Sequence, residues 1–133
     1  MPALHLEFVS SERVLFSGDV DQVDLPGVEG DLGILADHAP LVTGLRPGLV
    51  IIHRGGAREP IVLSGGFAEV SPAGLTILAE KASPRAEFDI AKLEADIQNT
   101  EEDVADATDA AERDRLVQRL EQLKKLQAAL AHQ

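Results

Sequence analysis

Hydrophobic and polar positions alternate from the start of the chain. In residues 3–9 (ALHLEFV), Leu4, Leu6 and Phe8 fall on one side and His5 and Glu7 on the other, the period-two pattern of a half-buried strand. The run over residues 13–27 places Val14, Phe16 and Val20 on even positions, then Val23 and Leu25 on odd ones. A strand cannot change its buried face without an extra residue, so a bulge or kink is expected near Asp21-Gln22. Further strands are expected at 32–35, 41–45, 48–54, 58–64, 66–71 and 75–80. Gly55-Gly56, Gly65-Gly66 and Ser71-Pro72-Ala73-Gly74 provide the turns between them. Many short strands with closely spaced turns define a sandwich or barrel. Two segments break the alternation: residues 49–52 (LVII) and 61–63 (IVL) are apolar on both faces. Either these strands are central and covered by the chain's own elements, or another protein covers an outer face.

Past Ser83-Pro84 the period lengthens. Ile90, Leu93, Ile97, Val104 and Ala107/Ala111 recur at threes and fours, and Leu116, Leu120, Leu123, Leu126 and Leu130 repeat the spacing. Asp109 followed by Glu112 resembles a capping box and marks a second helix start between the stripes. The pattern predicts a mainly β body over 1–84, then an antiparallel αα-hairpin over 85–133. One continuous helix is the rival to the hairpin. With few large apolar side chains, the helical part is marginal alone and must dock, either on its own sandwich or on a partner.

Composition sharpens this division. All eleven glycines lie between Gly18 and Gly74 and all seven prolines between Pro2 and Pro84, so the helical part carries no breaker. The net charge of −11 is shared by both parts and argues against a nucleic-acid or anionic-membrane binder. No cysteine is present, which excludes disulfides, thiolate metal sites and cysteine nucleophiles. Residues 49–52 are the longest aliphatic run, far short of the ~20 residues of a membrane span. The start, MPALHLEFVSSER, lacks a basic leader with an apolar core, and a soluble cytoplasmic protein is expected.

No catalytic constellation emerges. The four histidines, His5, His38, His53 and His132, never fall three or four residues apart, so no zinc site is expected. There is no GxSxG elbow, and the glycine-rich PGVEGDLG lacks both GxGxxG and the Lys-Ser/Thr of a phosphate loop. Its Glu29 and Asp31 would repel phosphate, and it reads as a tight acidic loop. On the second helix, Arg113 and Lys124 flank one side of the leucine stripe and Arg115 and Arg119 the other. These bases either suit an acidic partner or are solvated flanks. A carboxylate-dependent hydrolase has no support beyond the acidic count.

Residues 25–50, LPGVEGDLGILADHAPLVTGLRPGLV, carry the most specific pattern. They resemble the signature of the epsilon subunit of bacterial F-type ATP synthase, called delta in mitochondria: LPG-x-x-G-acid-LGIL, then HAPL and L-x-PG. The opening LEFVSSERVLFSGDVDQV and the later LSGGFAEV match as well. The resemblance implies a sandwich of about ten strands followed by a helical hairpin. It implies a non-catalytic central-stalk subunit, without a cofactor, on the cytoplasmic face of the bacterial inner membrane. Such a subunit couples proton-driven rotation of the c-ring, through gamma, to ATP synthesis. By position in the motif, Glu29, Gly30 and Asp31 correspond to the c-ring contact, and His38, Ala39, Pro40 and Leu41 lie in the gamma-facing region.

The helices of many bacterial relatives inhibit ATP hydrolysis by contacting acidic segments of the catalytic beta subunits. Arg113, Arg115, Arg119, Lys124 and Lys125 are the residues placed to carry that contact. Some relatives bind ATP at an I/L-D-x-x-R-A motif. Here the segment reads Phe88-Asp89-Ile90-Ala91-Lys92-Leu93, keeping Asp89 but replacing arginine by Lys92. Lys92 is the only base between residues 86 and 112 and cannot form arginine's bidentate fork, so weak or absent ATP binding is expected. The alternative function is a stand-alone ATP-sensing module built on the hairpin.

Overall fold

The computed structural model describes residues 3–131, so His132 lies outside the described residues. The chain divides into two compact units, one up to Phe88 and one from Asp89 onward.

The first unit contains ten strands: β1 (Leu4–Ser10), β2 (Val14–Val20), β3 (Gln22–Gly27), β4 (Gly30–Leu35), β5 (Leu41–Leu45), β6 (Gly48–Arg54), β7 (Ala57–Leu63), β8 (Gly66–Ser71), β9 (Gly74–Ala79) and β10 (Ala82–Pro84). One half-sheet runs β10-β7-β6-β3-β4 and the other β5-β8-β9-β1-β2. A single residue pair, Gly27 with Leu45, joins them. Strand β1 pairs antiparallel with β2 and parallel with β9. The core is filled from both halves: Leu6, Phe8 and Ile77 from one, Val23, Ile34 and Ile52 from the other.

The change of face between Val20 and Val23 is a break, not a bulge within one strand. Strand β2 ends at Val20, Asp21 alone makes the link, and the chain crosses to the other half-sheet as β3. Two hydrogen bonds fix the crossing: Asp21 N–H donates to the His53 carbonyl at 2.8 Å, and Gly55 N–H to the Asp21 carboxylate at 2.9 Å. Gly55 and Gly56 make that approach possible, with φ of 59° and 83°, a left-handed pair that side chains disfavour. The bulge lies earlier. Phe8 pairs with Phe16 but Val9 with Val14, which leaves Leu15 as the extra residue. This corrects the expected burial of Val14, which faces solvent.

The doubly apolar runs lie in β6 and β7, strands internal to their half-sheet. Val50, Ile52, Ile61 and Leu63 belong to the core, and Ile51 and Val62, pointing the other way, are also buried within the chain. Strand β10 follows no alternation of its own, and pairing with Ile61, Val62 and Leu63 of β7 defines it. A 3-10 turn at Arg85–Glu87 continues the unit, and Glu87 approaches Arg13 at 3.7 Å.

The second unit is two helices, α1 (Ile90–Asp106) and α2 (Ala110–Ala131), packed on each other across the link 107–109. Each start has an aspartate cap, which satisfies an amide that a helix leaves free. The Asp89 carboxylate accepts from Lys92 N–H and the Asp109 carboxylate from Glu112 N–H, both at 3.0 Å. Asp109 and the link decide for two helices over a continuous one. Leu93, Ile97 and Ala107 are buried, and Ile90 and Ala111 are exposed. Thr100, absent from the apolar stripe, is buried too, its hydroxyl donating to the Asp96 carbonyl at 2.7 Å.

Candidate functional site

The glycine-rich segment is a hairpin, not a loop. Strands β3 and β4 pair up to Gly27 opposite Gly30, leaving Val28-Glu29 as a two-residue turn. Gly30 follows with φ of 140°, open to glycine and strained for other residues. Gly27 faces a tighter limit: a Cβ there would lie 2.6 Å from the Gly30 carbonyl oxygen. The hairpin is strapped to the end of β5 by Arg46, whose guanidinium donates both to the Gly27 carbonyl and to the Asp31 carboxylate. Arg46 N–H also donates to the Pro26 carbonyl, and Val28 N–H to the Gly44 carbonyl, each at 2.9 Å.

This arrangement changes the charge of the turn. Asp31 is neutralised by Arg46, and Glu29 stands exposed with no ion pair among the described residues. The segment is therefore one free carboxylate beside an ion pair and an exposed Val28, not an undivided acidic tip. Arg46 sits inside the motif LRPG, and its role is legible only when β5 and β3 are known to adjoin.

His38, Ala39, Pro40 and Leu41 occupy the connection from β4 to β5. Asp37 turns the chain with φ of 67°. His38 Nδ1 lies 2.7 Å from the Ala39 carbonyl oxygen and His38 is half-buried; a carbonyl can only accept, so Nδ1 carries the proton. Strand β4 separates this segment from the Glu29 turn, and the two lie at opposite ends of the sandwich.

An apolar row crosses the outer face of the second half-sheet, one rung from the Glu29 end. Cross-strand register places Val14, Val9, Leu78, Phe67 and Gly44 in one row over β2, β1, β9, β8 and β5. Val14, Leu78 and Phe67 are 62%, 54% and 63% exposed. Val28 extends the row, with a methyl 3.3 Å from where a Gly44 Cβ would stand. Exposed Val42 adjoins the His38–Leu41 segment. Sequence periodicity misses this band because each strand supplies one residue. Only the pairing of distant strands aligns them.

On the hairpin, the candidate bases divide. Arg113 donates to the Ala107 carbonyl at 3.0 Å and Lys124 approaches Glu101 at 3.8 Å, so both support the pair of helices. Arg115, Arg119 and Lys125 are exposed and make no ion pair among the described residues. Asp89 and Lys92 serve α1 itself, one as its cap and the other in an ion pair with Asp96 at 2.9 Å.

No helix among the described residues is long and apolar enough to cross a membrane. The described residues thus form a ten-stranded sandwich, with an exposed apolar row and a strapped hairpin turn, followed in the chain by a pair of helices. The profile of the ATP synthase delta/epsilon chain β-sandwich domain matches residues 3–85. The chain is 48% identical over 124 residues to the ATP synthase epsilon chain of Parvibaculum lavamentivorans, covering 92% of this chain and 94% of the relative. It is 45% identical over 130 residues to that of Rhodopseudomonas palustris strain TIE-1, covering 98% and 96%. Among solved structures, a chain of the Euglena gracilis mitochondrial ATP synthase, in an assembly of OSCP, F1 and c-ring, superposes with a TM-score of 0.82 at 29% identity. That match covers 98% of this chain and 83% of the other. A chain from the central stalk and c-ring of the Tetrahymena thermophila enzyme shares the fold, with a TM-score of 0.69, 15% identity and 96% of each chain covered. The chain belongs to the ATP synthase delta/epsilon family.

Proposed function

We propose that this chain is the epsilon-type central-stalk subunit of a rotary ATP synthase, at the cytoplasmic face of a bacterial inner membrane. It couples proton-driven rotation of the c-ring, through gamma, to ATP synthesis in the catalytic head, and performs no chemistry itself. The apolar band on the outer face of β5-β8-β9-β1-β2 carries the reading. An exposed row of this kind marks a protein interface, and the next row on the same face, Val42–Glu69–Thr76–Glu7–Ser17, supplies a polar rim beside it. The band is the docking face for gamma, which extends along β5 past Val42 to His38, Ala39, Pro40 and Leu41 at the far end of the sandwich. The Glu29-Gly30-Asp31 turn at the other end meets the polar loops of the c-ring. Arg115, Arg119 and Lys125 are the bases free to reach acidic segments of the beta subunits, and the sandwich and hairpin act as separate domains. Engagement of Asp89 and Lys92 within α1 leaves the ATP-sensing alternative without support.

The test is binding to the cognate gamma subunit. The wild-type chain forms a stable complex at micromolar gamma, and Phe67→Asp with Leu78→Asp weakens it by at least about tenfold. Both side chains face solvent, so circular dichroism remains unchanged. A wild-type chain that stays monomeric with gamma overturns the assignment. Unaltered affinity in the double variant moves the interface elsewhere.

A further inference from the structure

We infer that the outer face of β5-β8-β9-β1-β2, in its half farther from the Glu29 turn, is an acidic seat for cationic side chains of the partner docked there, and that His5 occupies this seat as a proton-controlled competitor. This rests on the reading of that face as the gamma dock. It adds the charge of the residues that gamma brings and a dependence of docking on protons.

Strand register builds the seat. Beside the apolar row runs Val42–Glu69–Thr76–Glu7–Ser17, and beyond it Ser71–Gly74–His5–Asp19. Pro40 precedes Leu41, the partner of Val70, and so brings the end of the His38–Leu41 segment to the same rung as Ser71. Glu7, Asp19, Glu69 and His5 are the ionisable side chains of these five strands, and all of them fall on the outer face. His5 bridges the nearer carboxylates, with Nδ1 3.2 Å from Asp19 and Nε2 2.8 Å from Glu7. Glu7 also accepts from the Ser17 hydroxyl at 2.7 Å. Of the strands beside β1, β2 presents Asp19 to the ring and β9 presents no charge. The β9 neighbour is Gly74, where a Cβ would lie 3.1 Å from the His5 Cβ, so that flank of His5 carries no covering side chain. Glu69 is the next charge across the sheet, two strand spacings or about 10 Å from Glu7. It is exposed and makes no ion pair among the described residues.

The bridge is complete only on the imidazolium, since a neutral ring has a single N–H to donate. Protonated, His5 engages both Glu7 and Asp19 and leaves Glu69 as the free carboxylate of the face. Neutral, it holds only one of the pair, and the face gains a released carboxylate and a unit of negative charge. A partner that covers these groups must pair them with cations or leave charge buried without compensation, which is costly. An arginine or lysine brought to Glu7 or Asp19 takes the place of the imidazolium and repels it. Docking therefore weakens the hold of His5 on its proton, and by linkage the loss of that proton strengthens docking by the same factor. Affinity climbs from the pKa of the ring in the complex and levels off above that of the free ring. The free value is raised from 6.5, first by the Glu7 hydrogen bond and then by Asp19.

The measurement is calorimetric titration of the full chain with its cognate gamma subunit, repeated in buffers of different ionisation enthalpy so that proton release is counted. From about pH 6 to about pH 9 the wild type should bind at least about threefold more tightly and release protons on binding. His5→Gln should lose both the slope and the release with circular dichroism unchanged, because His5 is exposed. Glu69→Lys should weaken binding at every pH and keep the slope. A slope that survives in His5→Gln, or a wild type whose affinity is flat or falls with pH, overturns the role of His5. Unaltered affinity in Glu69→Lys overturns the acidic seat. A wild type that binds gamma at no pH overturns the docking reading beneath both.

Discussion

His5 stands on the outer face of β1 between two carboxylates, with Nε2 2.8 Å from Glu7 and Nδ1 3.2 Å from Asp19. Only the protonated ring donates at both nitrogens. Its pKa is accordingly raised from the usual 6.5, first by the Glu7 hydrogen bond and then by Asp19. Glu7 is lowered from 4.5, first by the Ser17 hydroxyl at 2.7 Å and then by His5. The signs follow from linkage. The His5 contribution is complete below 6.5 and disappears as pH rises through the higher folded value. The Glu7 contribution is complete above 4.5 and disappears as pH falls through the lower one. Proton NMR titration of His5 should give a midpoint above 6.5, and Glu7→Gln should return it toward that value. An unchanged midpoint in the variant would assign the shift to Asp19.

At the scale of elements, the helices show how much local chemistry specifies. Asp109 and Glu112 announced a second helix, and the cap is there, because capping needs only a side chain and an amide three residues on. Asp109→Ala should destabilise α2 by about 1 kcal/mol, read as a lower melting temperature of the helical signal with the sandwich unaffected. An unaltered transition would show that the cap contributes nothing. The strands were legible through period and turns, as in Leu4, Leu6 and Phe8. Face was less so: Val14 reads as buried but is exposed, because the extra residue Leu15 is visible only once β1 is laid beside β2. The candidate site follows the same division. Its hairpin turn is written in glycines, but its strap, Arg46, and its band, Phe67 and Leu78, depend on partners many residues distant. Local propensity cannot encode such pairing.

On the scale of the molecule, two units differ in construction. The sandwich is held by a continuous ladder and a shared core, and the helical unit by caps, short stripes and a few exposed ion pairs. Such a difference in construction lets the helical unit open at lower cost than the sandwich. A chain ending at Phe88 should bind gamma as well as the full chain, since the band is intact. If the arm inhibits, ATP hydrolysis by the assembled head should rise severalfold with that truncation. Unchanged hydrolysis would assign the arm a purely structural part.

The parallel pairing of β1 with β9 also governs the order of events when the protein is made. Leu6 meets Leu75 and Phe8 meets Ile77, contacts that span most of the sandwich sequence. Loops this long close slowly, because entropy is lost before any contact repays it. The β1–β2 and β6–β7 hairpins can form as they emerge, but the seam between first and ninth strands waits for Ala79. Until then the face proposed to meet gamma lacks its middle strand. The apolar band does not exist on the nascent chain, and the subunit acquires its adhesive surface only when its sandwich is complete.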